Sequence, residues 1–400
     1  MAPYESDDAT DAAQDRDLRS GPRKAARYVV PVAVVGVAAA TIGLVPALAD
    51  SGDPDLPKIT AQQLIEKVAK SDAQQLSGTV KISTDLGLPN LGGLENSLMS
   101  GAARGGHGDS SPADPKSRLT ELVTGAHTLR VAVDGPDRQK LSLMEKGAEY
   151  SLIHNGKDVW GYDSQSNEVY HGTSAGSGKE HRAEPPATPK DFADQALKSV
   201  DDTTSVTVDG TARVAGRDAY KLLIRPRQSG STVGAVSIAV DARTGQPLKF
   251  TLTPASGGAA VVDVGFTQVS FAEPAARTFD FTPPKGTKVT EQKKQPEARH
   301  HAPGSGEDFA KGMEGYEVLG KGWTSIAAFD TGAKGGLPGG SRGGVFGGFL
   351  GSFGDKVSGK FGKGTVFSTR LVNALITDDG KVYAGTVTKG ALVKAANDAK

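Results

Sequence analysis

Between Arg217 and Phe271, apolar side chains fall on every second position of four successive runs. Tyr220, Leu222 and Ile224 make the first run, and Val236, Ile238 and Val240 the second. Leu248, Phe250 and Leu252 make the third, and Val262, Val264 and Phe266 the fourth. Side chains on a pleated strand point to opposite faces in turn, so the pattern predicts four strands with one apolar and one wet face each. Turn signals separate them at Gln228-Ser229-Gly230, Asp241 to Gly245 and Ser256-Gly257-Gly258. The stretch reads as an antiparallel meander whose apolar face must be covered by something.

The same period runs upstream. Strands are expected at 77–83, 127–134, 138–144, 148–154, 157–163, 167–172 and 205–213, with Asp134-Gly135 and Asn155-Gly156 as hairpin turns. Leu129, Val131 and Val133, then Leu141 and Leu143, then Tyr150 and Leu152, then Trp160 and Tyr162 repeat in twos. Two helices interrupt the strands. One covers 60–70, with Thr60 as N-cap and Leu64, Ile65 and Val68 in a stripe. The other starts at Pro189, with Phe192, Ala196 and Leu197 on one side. The fold class is therefore mainly β (α+β): an antiparallel half-barrel, residues 58–290, plugged by helices. Two helices are little cover for about eleven strands, so a concave apolar cavity suited to an acyl chain is expected. Its expected lining is Tyr150, Leu152, Trp160, Tyr162, Tyr220, Leu222, Ile224, Val236, Ile238, Leu248, Phe250, Leu252, Val264 and Phe266.

An insertion from Asp85 to Lys116 carries Leu86, Leu88, Leu91, Leu94, Leu98 and Met99 among many glycines. Two readings stay open: leucines folded back on the core, or a mobile lid over an apolar mouth. A charged, Pro/Gly-rich linker at 291–314 ends the large domain. A small α+β domain follows at 315–400, with one strand through Trp323, Ile326 and Phe329. A hairpin of 365–377 with 381–387, turned by Asp378-Asp379-Gly380, and a helix capped by Thr388 complete it. Phe346, Phe349, Leu350, Phe353 and Val357 recur at helical spacing beside Lys356, Lys360 and Lys363. They read either as packing on the small domain or as a hairpin touching membrane or partner.

Residues 1–27 read as a disordered cytoplasmic N-terminus, acidic up to Asp17 and ending in Arg23, Lys24 and Arg27. Residues 28–49 carry no charge. As a helix they would reach about 33 Å, against a hydrocarbon core of roughly 30 Å. They read as a transmembrane anchor that leaves the bulk of the chain extracytoplasmic in the cell membrane. The alternative is secretion after cleavage at Ala47-Leu48-Ala49. The chain has 46 basic and 46 acidic residues, so no global field draws it to nucleic acid. Cysteine is absent, which excludes disulfides, thiol nucleophiles and a lipid-modified cysteine.

Candidate chemistry is sparse. Gly339-Gly340-Ser341-Arg342-Gly343 matches a nucleophile elbow, but a glycine tract stands where a buried strand is needed. Gly354 to Lys360 matches a phosphate loop, but Phe361 replaces the Ser or Thr that would hold magnesium. His300-His301 has no further ligand at metal spacing. The acidic residues of 127–272 alternate with core positions and are expected to face water. No enzyme, cofactor or metal is expected.

The helix at 60–70 followed by SGTVKIS, the segments NGKDVWGYD, AGRDAYKLLIRP and VDARTGQPLKF, and the closing VGFTQVSF…FDFTPPKGTKV resemble the LolA/LolB lipoprotein-carrier fold. They are more similar still to its two-domain relatives, the MucB/RseB regulators of extracytoplasmic sigma factors. VFS…LITDDGKVYAGTVTKGALVKAA resembles the C-terminal domain of those regulators. The resemblance implies a half-barrel with an apolar interior for lipid or the acyl chains of a lipoprotein. It also implies an anti-sigma factor or an ABC transporter as further partners. Two functions follow: a membrane-tethered carrier or sensor of acyl chains, or a regulator that binds an anti-sigma factor in envelope-stress signalling. A third reading, a structural envelope module with a filled core, predicts no cavity.

Overall fold

The computed structural model describes residues 54–71, 73–87, 111–115, 118, 122, 125–173, 188–291, 317–330 and 354–399. Residues 28–49, His300-His301, Ser341, Phe346 to Phe353 and the leucines of the insertion beyond Leu86 lie outside these. Among the described residues no helix is long and apolar enough to cross a membrane.

The hairpin turns read from the sequence produce two meanders. β1 (Gln75–Thr84), β2 (Gly125–Asp134), β3 (Arg138–Met144), β4 (Glu149–Asn155), β5 (Asp158–Asp163) and β6 (Glu168–Thr173) pair antiparallel in chain order. β7 (Thr204–Val214), β8 (Arg217–Pro226), β9 (Val233–Asp241), β10 (Pro247–Pro254) and β11 (Val262–Ser270) do the same. The seam is β1 against β11, with Val80 opposite Phe266 and Ile82 opposite Val264. A twelfth strand, β12 (Lys288–Glu291), lies parallel to β6. Four residues without alternation gave no strand signal, so β12 was not expected from the sequence. The 12-stranded sheet ends at β12 on one side and β7 on the other, so it is open, as a half-barrel requires.

Two helices lie on one face, and both start with a reciprocal cap. In α1 (Ala61–Ala69) the Thr60 hydroxyl accepts the Gln63 N–H while the Gln63 side chain accepts the Thr60 N–H. In α2 (Pro189–Lys198) Thr188 and Asp191 do the same, with Pro189 in the first turn. Leu64 and Val68 of α1 and Ala193 of α2 are buried in the main core, and Phe192 meets the Phe250 ring at 5.2 Å between centroids.

The C-terminal part forms a six-stranded sheet of its own. Its strands are β13 (Glu317–Leu319), β14 (Ile326–Asp330), β15 (Asp355–Gly359), β16 (Gly362–Ser368), β17 (Asn373–Thr377) and β18 (Lys381–Gly385), in the order β13-β14-β18-β17-β16-β15. Helix α3 (Lys389–Asp398), capped by Thr388, buries Leu392 and Ala396 on Leu375 and Tyr383. Three sequence expectations are corrected. The strand drawn through Trp323 is broken by a 3-10 turn at Gly322–Thr324. The strand drawn over 365–377 is two strands, parted at Thr369, whose hydroxyl accepts the Leu371 and Val372 N–H groups. Val357, read at helical spacing, stands on β15. The broken turn has a use, because the Trp323 indole N–H donates to Thr204 Oγ1 at 2.8 Å and fastens the small sheet to β7. Arg370 adds a second fastening, donating to Asp85 Oδ2 at 2.7 Å.

Candidate functional site: the concave face of the sheet

Register settles which expected lining residues share a face. Leu222, Ile238, Phe250 and Val264 stand opposite one another across β8 to β11, and Val264 meets Ile82 on β1. A second row runs from Phe266 through Val80, Leu129 and Leu143 to Tyr150. Cross-strand partners project to the same side, so one apolar surface spans both meanders. Twelve of the fourteen expected residues lie on it: Tyr150, Leu152, Tyr220, Leu222, Ile224, Val236, Ile238, Leu248, Phe250, Leu252, Val264 and Phe266.

Trp160 and Tyr162 do not. The turn after β4 pairs Asn155 with Asp158, which sets Leu152 opposite Gly161 and Ile153 opposite Trp160. Both aromatics therefore point to the other side of the sheet, the convex side of a half-barrel closed by α1 and α2. There the chain leading from β11 to β12 crosses them, with Phe281 at 5.6 Å from Trp160 and 5.7 Å from Tyr162. Phe279 is fully buried beside them, and its carbonyl accepts from Asn155 at 3.3 Å. Alternation misled because this end of the sheet is apolar on both sides. The two-residue turn would have given the face, since it fixes which residue opposes which.

This apolar surface, the inner face of a half-barrel, is covered. Besides α1 and α2, the returning limb of the insertion lies on it, with Ala113 and Leu122 buried. The Tyr150 hydroxyl donates to the Ala113 carbonyl at 3.2 Å. Gly161 leaves room for this, since a Cβ there would stand 2.4 Å from the Ala113 oxygen and 2.9 Å from the Tyr150 hydroxyl. Arg118 anchors the limb: it pairs with Asp163, reaches Glu145 at 3.3 Å and lies over the Tyr150 ring. The segment before α1 adds a strap, with the Tyr220 hydroxyl donating to the Pro57 carbonyl at 2.9 Å. Of the twelve residues, only Leu152 and Leu252 are half-buried and the rest are buried. Gly161→Ala is expected to push the Ala113 carbonyl off the sheet and to lower the unfolding free energy by about 1–3 kcal/mol, the usual cost of overpacking. Urea denaturation measures it, and an unchanged midpoint would contradict the close approach.

The expectation that acidic residues face water is corrected at three positions. Asp134, Asp163 and Asp241 are buried, beside Arg138, Arg118 and Arg217 respectively. Each ends a strand; Gln75 donates to Asp134 Oδ1 at 3.2 Å from the neighbouring strand, while at the other two the turn supplies donors. Asp163 accepts the N–H groups of Gln165 at 2.8 Å and Ser166 at 2.9 Å. Asp241 accepts those of Arg243 at 3.0 Å and Thr244 at 2.7 Å. Burial pushes the Asp163 carboxyl up, but the Ser166 N–H and the Arg118 guanidinium outweigh it and hold the group below the ordinary carboxylate range. Asp241 is held down in the same way by Arg217 and Thr244 against its own burial. These carboxylates are structural knots at turns.

Two clefts lie away from this face. One of about 640 Å³ separates α3 from β13 and β14, and one of about 440 Å³ opens near Lys70 and Phe271. Neither is lined by any of the fourteen residues.

Neither a protein-family model nor a curated protein matches the sequence. Among solved structures, MucB from Pseudomonas aeruginosa, in a complex with MucA, is similar over 84% of this chain and 96% of its own, with 16% identity and a TM-score of 0.38. An uncharacterized conserved protein from Thermus thermophilus is similar over 58% and 99%, with 13% identity and a TM-score of 0.31. A LolA superfamily protein from Nitrosomonas europaea is similar over 56% and 99%, with 11% identity and a TM-score of 0.22. The chain thus resembles MucB and LolA-superfamily proteins in structure.

Proposed function

We propose that this is an extracytoplasmic binding protein, tethered to the membrane through residues 28–49, that holds acyl chains of lipid or lipoprotein on the concave face of its half-barrel. One observation carries the reading. The apolar face is a single surface across both meanders, yet it is covered by short separate pieces of chain: α1, α2 and the limb around Ala113 and Arg118. A cover of this kind can be displaced without breaking the sheet ladder. Each methylene of an acyl chain that replaced it would gain about 0.8 kcal/mol by burial, with no catalytic residue required. Leu152 and Leu252, half-buried at the margin of the covered surface, are where a chain would first make contact.

The test is to purify the full chain from membranes, extract it and identify bound lipid by mass spectrometry, then titrate the stripped protein with a fluorescent fatty acid. Lipid in the extract and saturable probe binding are expected. Leu252→Gln is expected to weaken the probe about tenfold to a hundredfold, the worth of one buried aliphatic side chain, while leaving a cooperative melt. No extracted lipid together with no probe binding would overturn the proposal.

A second reading, a regulator that binds an anti-sigma factor, is favoured by the way the small sheet is fastened to the large one through Trp323 and Arg370. Such a pair of linked modules suits a protein partner that spans both. Removing residues 315–400 would separate the two readings, since an acyl carrier keeps its lipid and a regulator loses its partner.

A further inference from the structure

His171 sits on the convex side at the edge of the large sheet, in an arrangement that the acyl-binding reading does not use. Its ring stacks on Trp160 at 3.8 Å between centroids, with 12° between the planes. Its Nε2 lies 3.0 Å from Asp158 Oδ1 on β5, and its Nδ1 lies 2.8 Å from Glu291 Oε2 on β12. A neutral imidazole has one N–H and one lone pair, so it can donate to only one of two carboxylates and turns its lone pair on the other. Both contacts are satisfied together only by the imidazolium. The stack on Trp160 fixes the ring plane, which leaves no rotation that would relieve the mismatch once the proton is lost.

The strand this ring holds is a short one at the end of the sheet. β12 has four residues, is parallel to β6, and among the described residues has no neighbour on its other side. A further polar tie runs from the Lys288 ammonium to the Glu168 carboxylate at 2.9 Å. β12 is also the last strand of the large sheet in chain order, ahead of β13 of the small one. We propose that His171 is a proton-operated clasp: protonated, it bridges β5 and β12 and keeps the end of the large domain on the sheet; deprotonated, it releases β12 and adds its four residues to the connection between the two sheets. This is independent of what the concave face binds.

The titration agrees in direction. The hydrogen bond to Asp158 is the largest influence on His171; burial opposes it, and with the help of Glu291 the pKa is held above its ordinary value. A raised folded-state pKa means that the clasp is fully engaged below the unfolded value of about 6.5. It is lost as the pH rises through the higher folded value. Each pKa unit corresponds to a tenfold change in the opening equilibrium. With Asp158 and Glu291 half-open to water, at 53% and 68% side-chain exposure, the tie is screened, and we expect roughly threefold to tenfold more opening of β12 at about pH 8.5 than at about pH 5.5.

The experiment is a proton NMR titration of His171 in the full chain, combined with amide hydrogen exchange of residues 288–291 corrected for intrinsic rates. The expected results are a His171 pKa above that of an exposed histidine and faster β12 exchange at the higher pH. His171→Phe keeps the ring against Trp160 and is expected to open β12 equally at both pH values, at the high-pH level of the wild type. Glu291→Gln is expected to move the His171 pKa down. A wild-type His171 that titrates at or below about 6.5, or β12 exchange that ignores pH, would overturn the proposal. The wild-type measurements decide it even if a variant does not fold.

Discussion

Phe250→Asp is expected to unfold the large sheet rather than merely to spoil a binding face. Phe250 is 4% exposed, stands between Ile238 and Val264, and takes the Phe192 ring of α2 at 5.2 Å. Losing a buried phenylalanine costs about 3–5 kcal/mol by itself. An unpaired carboxylate in the same place costs several more, or holds a proton to avoid ionising. Set against a net domain stability of about 5–15 kcal/mol, the sum removes most or all of it. Circular dichroism in the aromatic region during a thermal melt measures the effect. A cooperative transition within about 5 °C of the wild type would mean that the position has room, and would contradict the packing described above. The substitution is therefore a poor probe of acyl binding, whereas Leu252→Gln alters the same face where it is only half-buried.

The second large effect is expected from Arg118→Ala. The Asp163 side chain is 2% exposed and that of Arg118 15%, so the variant leaves a carboxylate in the sheet without its cation. Breaking such a pair from one side usually costs about 3–5 kcal/mol. Here the two turn N–H groups of Gln165 and Ser166 remain, which favours the lower end. Equilibrium urea unfolding at neutral pH gives the loss, and a change under about 1 kcal/mol would show the pair to be incidental. The pH dependence provides a second reading. Because the Asp163 pKa is depressed in the folded protein, its contribution is present above the ordinary value of about 3.9 and is lost as the pH falls through the lower folded value. The variant is expected to be less acid-sensitive than the wild type in that range, since part of what acid removes is already gone.

Much of the architecture was legible because period-two alternation and short turns are local signals. Tyr220 to Ile224 and Leu248 to Leu252 could hardly be anything but half-buried strands. What alternation does not carry is the side of the sheet. Trp160 and Tyr162 repeat in twos as Tyr150 and Leu152 do, but the turn at Asn155-Gly156 commits them to the opposite face from Leu152. The buried aspartates were misread for a related reason. Polar residues at strand ends look solvated in a pattern, and only the arrival of Arg118 from a distant loop and of turn N–H groups makes burial tolerable. The cover on the concave face was undercounted because the limb around Ala113 follows a glycine-rich stretch with no period at all. Gly161 was the available clue, an isolated glycine inside a strand that often marks a close backbone approach.

The seam between β1 and β11 also sets how the polypeptide has to mature. Ile82 cannot meet Val264 until most of the large domain has been synthesised, so its central ladder closes only after the hairpins of the first meander can form. Contacts so distant in sequence carry a loop-closure cost before they return anything, and chains rich in them fold slowly. Until closure, the inner edges of both meanders stand open, each a template for pairing with another chain. A nascent molecule halted before residue 262 would thus hold a first meander with an unsatisfied β1, and would depend on a holding factor or on rapid elongation to escape aggregation.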